Sequence, residues 1–301
     1  MRNLWNKKIA NEYIKKYKKL KISNNLALRI YTTHLLGAEK KLVLHGGGNT
    51  SFKETQKNIF NKMINVMHVK GSGWDMSNLT EEGMPTVFLD PLLKTLELKK
   101  MSDKNMVNFL RNNLLNPSSP NPSVETLLHA FLPHKYIDHT HSSAILSLVN
   151  LENSNIILKK IFGKKLAIVP YVMPGFDLAK ICYQYYKRDE KVEGLLLLNH
   201  GIFTFAETAE DSYKRMIKYV TKAENYIKKC KLNSKKINIF YKKNHSIDIA
   251  KLQNHFRKIY YKISNEKWII KYNGTKEDIL FINLKNLKNM FSKGPVTPDH
   301  V

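Results

Sequence analysis

Two short apolar runs of this chain end in histidines, and they constrain the fold more than any other feature. The first is YIDHTH, residues 136–141, and the second is LLLLNHG, residues 195–201. Short apolar runs closed by turn residues are typical of buried β-strands. Alternate residues of a strand point to the same side of the sheet, so we expect His139 and His141 to face one point. His200, at the end of the second run, is expected to join them.

Three imidazoles around one point are a set of ligands for a divalent metal ion. Zinc held by three protein nitrogens keeps a fourth position open for a substrate oxygen, which is the catalytic arrangement rather than the closed structural one. Isolated His-x-His pairs are nevertheless common in proteins without a metal site. The sequence therefore predicts a metal site formed by His139, His141 and His200. The neighbouring segments make this prediction stronger.

Two glycine-rich segments predict turns that can hold an anion. LHGGGNTS, residues 44–51, follows an apolar run at residues 42–44 that predicts a strand, and VKGSGWD, residues 69–75, follows a second predicted strand at residues 66–69. Consecutive backbone N–H groups in such turns can point together at a phosphate, and Ser and Asn add side-chain donors. Neither segment has the spacing of a nucleotide-binding fingerprint. Taken singly, each is explained better by an ordinary loop.

A third segment, PSVETLLH at residues 122–129, predicts the start of a helix with Ser123 as its N-cap. Glu125 then lies just inside the helix, where the helix dipole alone favours a carboxylate. His129 lies one turn further on the same face, and we expect it in the core or behind the metal site rather than among the ligands. Residues 116–123 have the composition of a linker, but we expect them to form a loop that delivers Ser123 and Glu125 to the site.

Together with the histidines, these segments closely resemble the class II aldolase/adducin-head family. Further matching segments are YVMPGFDLAK, residues 171–180, and NHGIFTF, residues 199–205. The resemblance runs from about residue 28 to residue 228, and it is best with the aldolase half of bifunctional rhamnulose-1-phosphate aldolase/short-chain alcohol dehydrogenases. It resumes at GPVTPDHV, residues 294–301, like the joint before the dehydrogenase half. This adds a further alternative, in which the chain is a fragment or one part of a split enzyme that works with a separate short-chain dehydrogenase.

The resemblance implies an α/β fold of three α/β/α layers around a central mixed, largely antiparallel sheet. We expect the aldolase domain to extend over residues 1–230. Residues 231–301 are rich in Lys, Asn and Tyr, and we expect them to form a small C-terminal α+β extension. Within the first domain, residues 24–36 predict a helix, and Thr208 predicts the N-cap of a long helix with a regular apolar stripe.

The resemblance also implies the residues of an active site. It implies one Zn²⁺ per subunit, or another divalent metal, bound by His139, His141 and His200, and it gives acid/base chemistry to Glu125. By matching motifs it assigns phosphate binding to Gly48, Asn49, Ser72, Gly73 and Ser123. Some relatives have two serines before the glutamate, whereas this chain has Ser123 and Val124. One phosphate hydroxyl is then missing, and we expect Lys70 to compensate for it.

The implied activity is that of a zinc-dependent lyase, which cleaves a ketose 1-phosphate such as L-rhamnulose 1-phosphate to dihydroxyacetone phosphate and an aldehyde. The same scaffold hosts sugar-phosphate epimerases, dehydratases and decarboxylases, so the fold leaves the reaction open. A non-catalytic assembly module, as in adducin heads, is a further alternative, although the three histidines and Glu125 weigh against it. Relatives also imply a homo-oligomer, a tetramer with active sites near the subunit contacts.

A net charge of +25 raises a nucleic-acid-binding alternative. Only six of the 50 basic residues are arginines, the side chain preferred for bidentate recognition of bases and phosphates, and the lysines are spread along the chain. We therefore expect no nucleic-acid partner, and we interpret the basic surface as favouring an anionic substrate. The chain has two cysteines and no Cys-x-x-Cys pair, which is typical of a protein from a reducing compartment. It also has no apolar run as long as a signal peptide or a membrane helix. We therefore expect a cytoplasmic protein with no membrane partner.

Overall fold

The computed structural model describes residues 1–230, 246–271 and 287–292. The chain divides into two compact units, and the first of them contains Met1–Cys230. Within that unit a seven-stranded sheet has the order β3-β2-β1-β4-β7-β6-β5. Its strands are β1 (Asn49–Lys57), β2 (Met63–Val69), β3 (Thr86–Phe88), β4 (Tyr136–Thr140), β5 (Leu166–Val169), β6 (Gly194–Leu197) and β7 (Gly201–Ala206). All neighbours are antiparallel except β5 and β6, so the predicted mixed, largely antiparallel sheet is confirmed.

Helices cover both faces of this sheet. They are α1 (Lys7–Lys18), α2 (Asn24–Gly37), α3 (Leu89–Lys94), α4 (Asp103–Asn112), α5 (Thr126–Phe131), α6 (Ser143–Val149), α7 (Ser154–Phe162), α8 (Phe176–Arg188) and α9 (Ala209–Lys229). Leu195 and Phe203 share one core with α3, α4, α5 and α8. Leu196 and Ile202 share another with α2, α6, α7 and α9. Adjacent residues of one strand thus face opposite cores. This alternation is expected of a sheet that is buried on both sides. The predicted three-layer α/β/α fold is therefore confirmed.

Most of the predicted elements of the first unit form, with one exception. Residues 66–69 lie in β2, residues 24–36 lie in α2, and Thr208 caps α9 by accepting a hydrogen bond from the backbone of Asp211. The strand predicted at residues 42–44 is wrong, because this segment is a turn after α2 and the glycine turn precedes β1 instead of following a strand. Leu42 is buried in the core without joining the ladder. A three-residue apolar run does not distinguish these two arrangements.

The described residues of the second unit include two helices, α10 (Ser246–Ser264) and α11 (Leu287–Phe291). The strands expected in the extension over residues 231–301 fall largely outside the described residues. In the described parts of the chain, no helix combines the length and the apolar character needed to cross a membrane.

A buried ion pair fixes the central strand that carries the first histidine. Asp138 of β4 and Arg29 of α2 are both fully buried, and their charged groups are 2.5 Å apart. Ser212 of α9 donates a second hydrogen bond to the same carboxylate, at 2.5 Å. Burial raises the pKa of Asp138, and the Arg29 guanidinium opposes this effect. Because Asp138 faces α2 and α9, the next residue of the strand, His139, faces the other side of the sheet.

Candidate metal centre and pocket

The three predicted histidines meet at one end of the sheet. His139 is the fourth residue of β4, His141 lies just beyond the end of that strand, and His200 lies in the turn between β6 and β7. One ring nitrogen of each lies within 4.8 Å of the others, and Nε2 of His139 is 2.9 Å from Nε2 of His141. Among the described residues this is the one group of three or more His, Cys, Asp or Glu side chains with such an arrangement. The cluster can therefore hold a divalent metal ion.

The hydrogen bonding of His139 places its ring in the state that binds a metal. Its Nδ1 atom is 3.0 Å from the carbonyl oxygen of Ile202. A carbonyl only accepts, so Nδ1 carries the proton and Nε2 presents its lone pair to the other histidines. Burial holds the pKa of His139 well below its ordinary value, which keeps the ring neutral. A bound metal would thus meet a ligand that needs no deprotonation.

Two residues that the sequence analysis did not single out shape this cluster. Gly201 packs so closely that a Cβ atom there would lie 2.6 Å from the carbonyl oxygen of Thr140 and 3.0 Å from the ring of His141. Any larger residue would push into the cluster. Phe203 of β7 stacks on His139, with ring centroids 4.0 Å apart and an interplanar angle of 9°. Gly201 directly follows His200, but its role becomes visible only when the packing of the imidazoles is known.

The helix start that was predicted at Ser123 is displaced. Helix α5 begins at Thr126, and Glu125 occupies the cap position. The backbone N–H and the hydroxyl of Thr126 both donate to the carbonyl oxygen of Ser123, which forms a turn before the helix. Ser123 is therefore wrong as the N-cap, and its hydroxyl instead accepts from the backbone N–H of Glu125 at 3.3 Å.

Glu125 projects from this cap position into the histidine cluster. Its Oε1 atom is 3.2 Å from Nε2 of His200 and 3.5 Å from Nε2 of His139. Burial alone would raise the pKa of Glu125, but the three histidines together hold it well below its ordinary value. The carboxylate is consequently ionised at neutral pH, so the cluster combines three imidazoles with one negative charge. His129, one turn further along α5, is fully buried, and its Nδ1 atom lies 2.8 Å from the hydroxyl oxygen of Ser51, so it lies in the core as expected.

A pocket of about 330 Å³ opens beside the cluster. Its lining residues are Gly46, Gly47, Gly48, Lys70, Ser72, Gly73, Ser123, Val124, Glu125, His141, Pro174 and His200. Two backbone hydrogen bonds join the loop at residues 121–123 to the second glycine turn: Ser72 N–H donates to the Asn121 carbonyl at 2.9 Å, and Ser123 N–H donates to the Lys70 carbonyl at 3.3 Å. The proline-rich loop thereby brings Ser123 beside Ser72, as the sequence analysis expects.

Two glycines at this pocket adopt a backbone conformation that other residues rarely take. Gly48 has a φ of 69° and Gly73 a φ of 77°. A Cβ atom on Gly48 would also lie 2.9 Å from the carbonyl oxygen of His139, which joins the first glycine turn to the metal cluster. Of the five residues assigned to phosphate binding, Asn49 is fully buried at the start of β1 and lies outside the pocket lining. Its Nδ2 atom makes no hydrogen bond within the described part of the chain.

Comparison with known proteins agrees with this fold. Residues 28–227 match the family model described as Class II Aldolase and Adducin N-terminal domain. A solved N-terminal class II aldolase domain of a conserved protein from Thermoplasma acidophilum is 36% identical, with a TM-score of 0.67 over 75% of this chain and 99% of that one. A sugar-phosphate aldolase from Thermotoga maritima shares the fold at 15% identity, with a TM-score of 0.52 over 74% of this chain and 97% of that one.

One curated relative extends well beyond the matched region. The uncharacterized oxidoreductase YuxG of Bacillus subtilis (strain 168) is 38% identical over 198 residues, which make up 66% of this chain and 29% of that protein. The chain therefore spans less than a third of the length of this relative. Since the family model covers about two thirds of the residues, and the cluster and pocket lie within the matched range, the chain belongs to the class II aldolase and adducin N-terminal domain family.

Proposed function

We propose that this protein is a zinc-dependent lyase that cleaves a ketose 1-phosphate, with L-rhamnulose 1-phosphate as the nearest substrate, to dihydroxyacetone phosphate and an aldehyde. The observation that carries the proposal is the convergence of His139, His141 and His200 with the carboxylate of Glu125 at the wall of a pocket. The name of the Thermotoga maritima relative, a sugar-phosphate aldolase, supports the same substrate class.

The residues of the cluster fit a zinc ion. Imidazole nitrogens bind zinc at about 2.0–2.1 Å, which requires that three of them lie within a few ångströms of one another. The three side chains satisfy this condition, and the Nδ1 bond of His139 to Ile202 leaves its Nε2 atom unprotonated. When bound, the metal supplies Lewis-acid polarisation of a substrate carbonyl. Manganese or another divalent cation can use the same three nitrogens, and the metal's identity is part of the proposal.

Glu125 is the residue we assign to proton transfer. Its carboxylate is ionised and stands 3.2 Å from Nε2 of His200, one of the three proposed metal-binding side chains, so a substrate hydroxyl bound at the cluster would lie within reach of Oε1. In cleavage, this atom would accept the proton of the hydroxyl at the carbon that becomes the aldehyde, and it would later return a proton to the remaining fragment. The cap position on α5 holds the side chain in place.

The polar end of the pocket is the proposed phosphate site. The backbone N–H groups of Ser72 and Ser123 are used within the protein, so their hydroxyls are the groups left to donate to an anion. Gly48 and Gly73 add backbone N–H groups in turns with positive φ. The Nδ2 group of Asn49, which is buried and makes no hydrogen bond among the described residues, gains a partner if a phosphate oxygen reaches it.

A panel assay tests the proposal. Zinc-loaded protein is incubated with several ketose 1-phosphates, and the release of dihydroxyacetone phosphate is measured with a His139→Ala variant as the control. Release from at least one substrate, absent in the variant, is the expected result. An isomeric sugar phosphate, loss of water or release of carbon dioxide would instead identify an epimerase, a dehydratase or a decarboxylase. No turnover of any substrate by metal-loaded protein would favour a non-catalytic assembly module.

We further propose a homotetramer located in the cytoplasm, without a nucleic-acid or membrane partner. A separate short-chain dehydrogenase is the partner that the length of YuxG suggests, because that relative is described as an oxidoreductase and extends well beyond the matched region. Light scattering tests the tetramer. The mass of one chain is 35.0 kDa, and a fully active protein of about that mass in solution would exclude the tetramer.

A further inference from the structure

One edge of the central sheet is open within the described residues. β5 is the last strand in the sheet order, and its partner there is β6. At the opposite edge, residues 113–115 cover the outer side of β3 through backbone hydrogen bonds with Phe88 and Thr86, at 2.9 and 2.8 Å. In the part of the chain that the structure describes, no backbone hydrogen bond covers the outer side of β5 in this way. The two edges of the sheet are therefore unlike.

The backbone groups of Leu166 and Ile168 point to this open edge. The carbonyl oxygen of Lys165 accepts from Glu193 N–H at 2.8 Å, on the side of β6. Alternate residues of a strand direct their N–H and C=O groups to opposite edges. Leu166 and Ile168 therefore direct theirs away from β6, and such a row of backbone groups is a template for one more strand.

A groove of about 720 Å³ lies along this edge, with residues 166–168 in its lining. Helix α7 and the segment that follows it contribute Lys159 and Lys164 to the lining, and helix α8 contributes Tyr185 and Arg188. These two helices pack on opposite faces of the sheet, so the edge of β5 forms the floor of a slot between them. Of the residues that the structure describes, none lines both this groove and the pocket beside the histidines.

Both sides of the groove carry positive charge. Lys159, Lys164 and Arg188 are exposed, and no ion pair joins any of them to another described residue. The guanidinium carbon of Arg188 lies 4.1 Å from the ring centroid of Tyr185, and this stacking holds the charge at the groove. Asp189, an acidic residue of the lining, already accepts a backbone hydrogen bond at 3.0 Å. A ligand in the groove would thus meet three positive charges that have no counter-charge among the described residues.

We propose that the groove between α7 and α8 binds an extended acidic peptide segment of another protein, which adds to the sheet as a strand along β5 and places its carboxylates against Lys159, Lys164 and Arg188. In this mode of recognition, backbone hydrogen bonds supply affinity and the side chains supply specificity. A second copy of this chain is a poor occupant, because its net charge is +25. The proposal goes beyond the reaction at the histidine cluster and does not depend on it.

Lysines beside an edge strand also have a simpler explanation, since they can prevent strands from pairing at all. That explanation accounts for the charge, but it does not account for a slot whose floor is the strand edge. The two explanations differ in a measurable way. An edge that is only protected binds no added strand, whereas the proposed site binds an acidic strand and discriminates against a neutral one.

Fluorescence anisotropy of a labelled peptide tests the proposal. The peptide has about ten residues, the upper length of a usual strand, and pairs of glutamate alternate with pairs of valine, so that carboxylates project from both sides of the extended chain. One control peptide has glutamine in place of glutamate, and the other carries N-methyl groups on its backbone. We expect the acidic peptide to bind at least about tenfold more tightly than either control. No binding of the acidic peptide would overturn the proposal. Equal binding of the N-methylated peptide would also overturn it, because attraction by charge alone needs no strand edge.

A pair of matched variants locates the site. Lys159→Gln with Lys164→Gln removes two charges at the groove, and Lys94→Gln with Lys104→Gln removes two charges from exposed lysines of α3 and α4, which lie outside its lining. The groove variant should bind the acidic peptide about tenfold more weakly, and the control should stay within about twofold of wild type. Equal losses in the two variants would contradict the proposal, because they would show a general effect of net charge.

Ile168→Pro tests the strand edge itself. Proline lacks the outward N–H, and edge strands tolerate it where the missing donor faces away from the sheet. This variant should lose at least about tenfold in affinity with an unchanged circular dichroism spectrum, and full affinity in the folded variant would overturn the proposal. If Ile168→Pro does not fold, the N-methylated peptide decides the same point with β5 intact. His139→Ala should bind the peptide as wild type does, and a loss in that variant would place the peptide at the histidine cluster instead.

Discussion

Oε1 of Glu125 lies 3.2 Å from Nε2 of His200, although the two residues belong to different layers of the fold. Glu125 occupies the cap position of a short helix on one face of the sheet, and His200 lies in the turn between two strands. Their contact joins an acidic residue of the pocket lining to the histidine cluster. Proton transfer and metal binding would therefore occur at one place.

Replacing Glu125 by glutamine tests whether its carboxylate transfers the proton beside the histidine cluster. Glu125→Gln should retain the fold and the metal, because an amide has nearly the same shape, and should lower kcat by roughly 10²–10⁴-fold, because it cannot accept a proton at the same atom. Steady-state kinetics with the substrate found in the panel assay gives the comparison, and circular dichroism and zinc content serve as controls. A near-normal kcat would show that the Glu125 carboxylate takes no part in proton transfer.

The buried pair of Arg29 and Asp138 should contribute strongly to the stability of the first unit. Asp138→Asn leaves a buried guanidinium without its counter-charge, so we expect the free energy of unfolding to fall by about 3–5 kcal/mol. Glu190→Gln is the control, since the Lys187–Glu190 pair lies on the surface with both side chains about half exposed, and the loss of such a pair changes the free energy of unfolding little. Urea unfolding measures both. Similar losses in the two variants would contradict the role of the buried pair.

His129 should make the protein less stable in acid. Burial lowers the pKa of His129 from 6.5 to about 3. The unfolded chain therefore binds more protons than the folded one between these two values, and the free energy of unfolding falls as the pH falls through that window. Each pH unit within it costs about 1.4 kcal/mol. Between pH 7 and pH 5, His129→Gln should thus lose roughly 2 kcal/mol less stability than wild type in urea titrations. If the free energy of unfolding fell equally with pH in wild type and in His129→Gln, the result would argue against a neutral buried imidazole at His129.

The phosphate site should respond to single side chains. Asn49→Ala and Ser72→Ala each remove one proposed donor to a charged group, worth roughly 1.5–3 kcal/mol, so kcat/KM for the phosphorylated ketose should fall by about 10–150-fold. The much slower reaction of the unphosphorylated sugar should barely change, because that sugar places nothing in the pocket. Equal losses with both sugars would mean that the turns support the fold or the metal cluster instead.

The sequence was sufficient to predict the elements with a clear periodic pattern. The strand that carries His139, the helix over residues 24–36 and the Thr208 cap all form where the apolar period and the capping residues indicate. The approach of His139 to His141 also follows, because alternate residues of an extended segment point to the same side, and His141 lies just beyond the end of β4. The strand at residues 42–44 did not form, since three apolar residues can be buried in a turn as well as in a ladder.

Other features depend on contacts between distant segments, which no local pattern reveals. Nothing near Arg29 or Asp138 in the sequence indicates that they pair, because the contact requires that α2 lie over β4. The cap position of Glu125 depends on the turn that Thr126 forms with Ser123. The Nζ atom of Lys70 donates to the carbonyl oxygens of Gly46 and Trp74, and these hydrogen bonds likewise depend on how the two glycine turns fold against each other.

Metal stoichiometry tests the central claim most directly. Elemental analysis of wild-type protein, purified without chelator and then exposed to zinc, should give about one ion per chain. A variant with alanine at His139, His141 and His200 should give close to none, while circular dichroism shows that the fold is retained. Full zinc occupancy in the triple variant, or no bound divalent metal in the wild type, would contradict the assignment of this cluster as a metal centre.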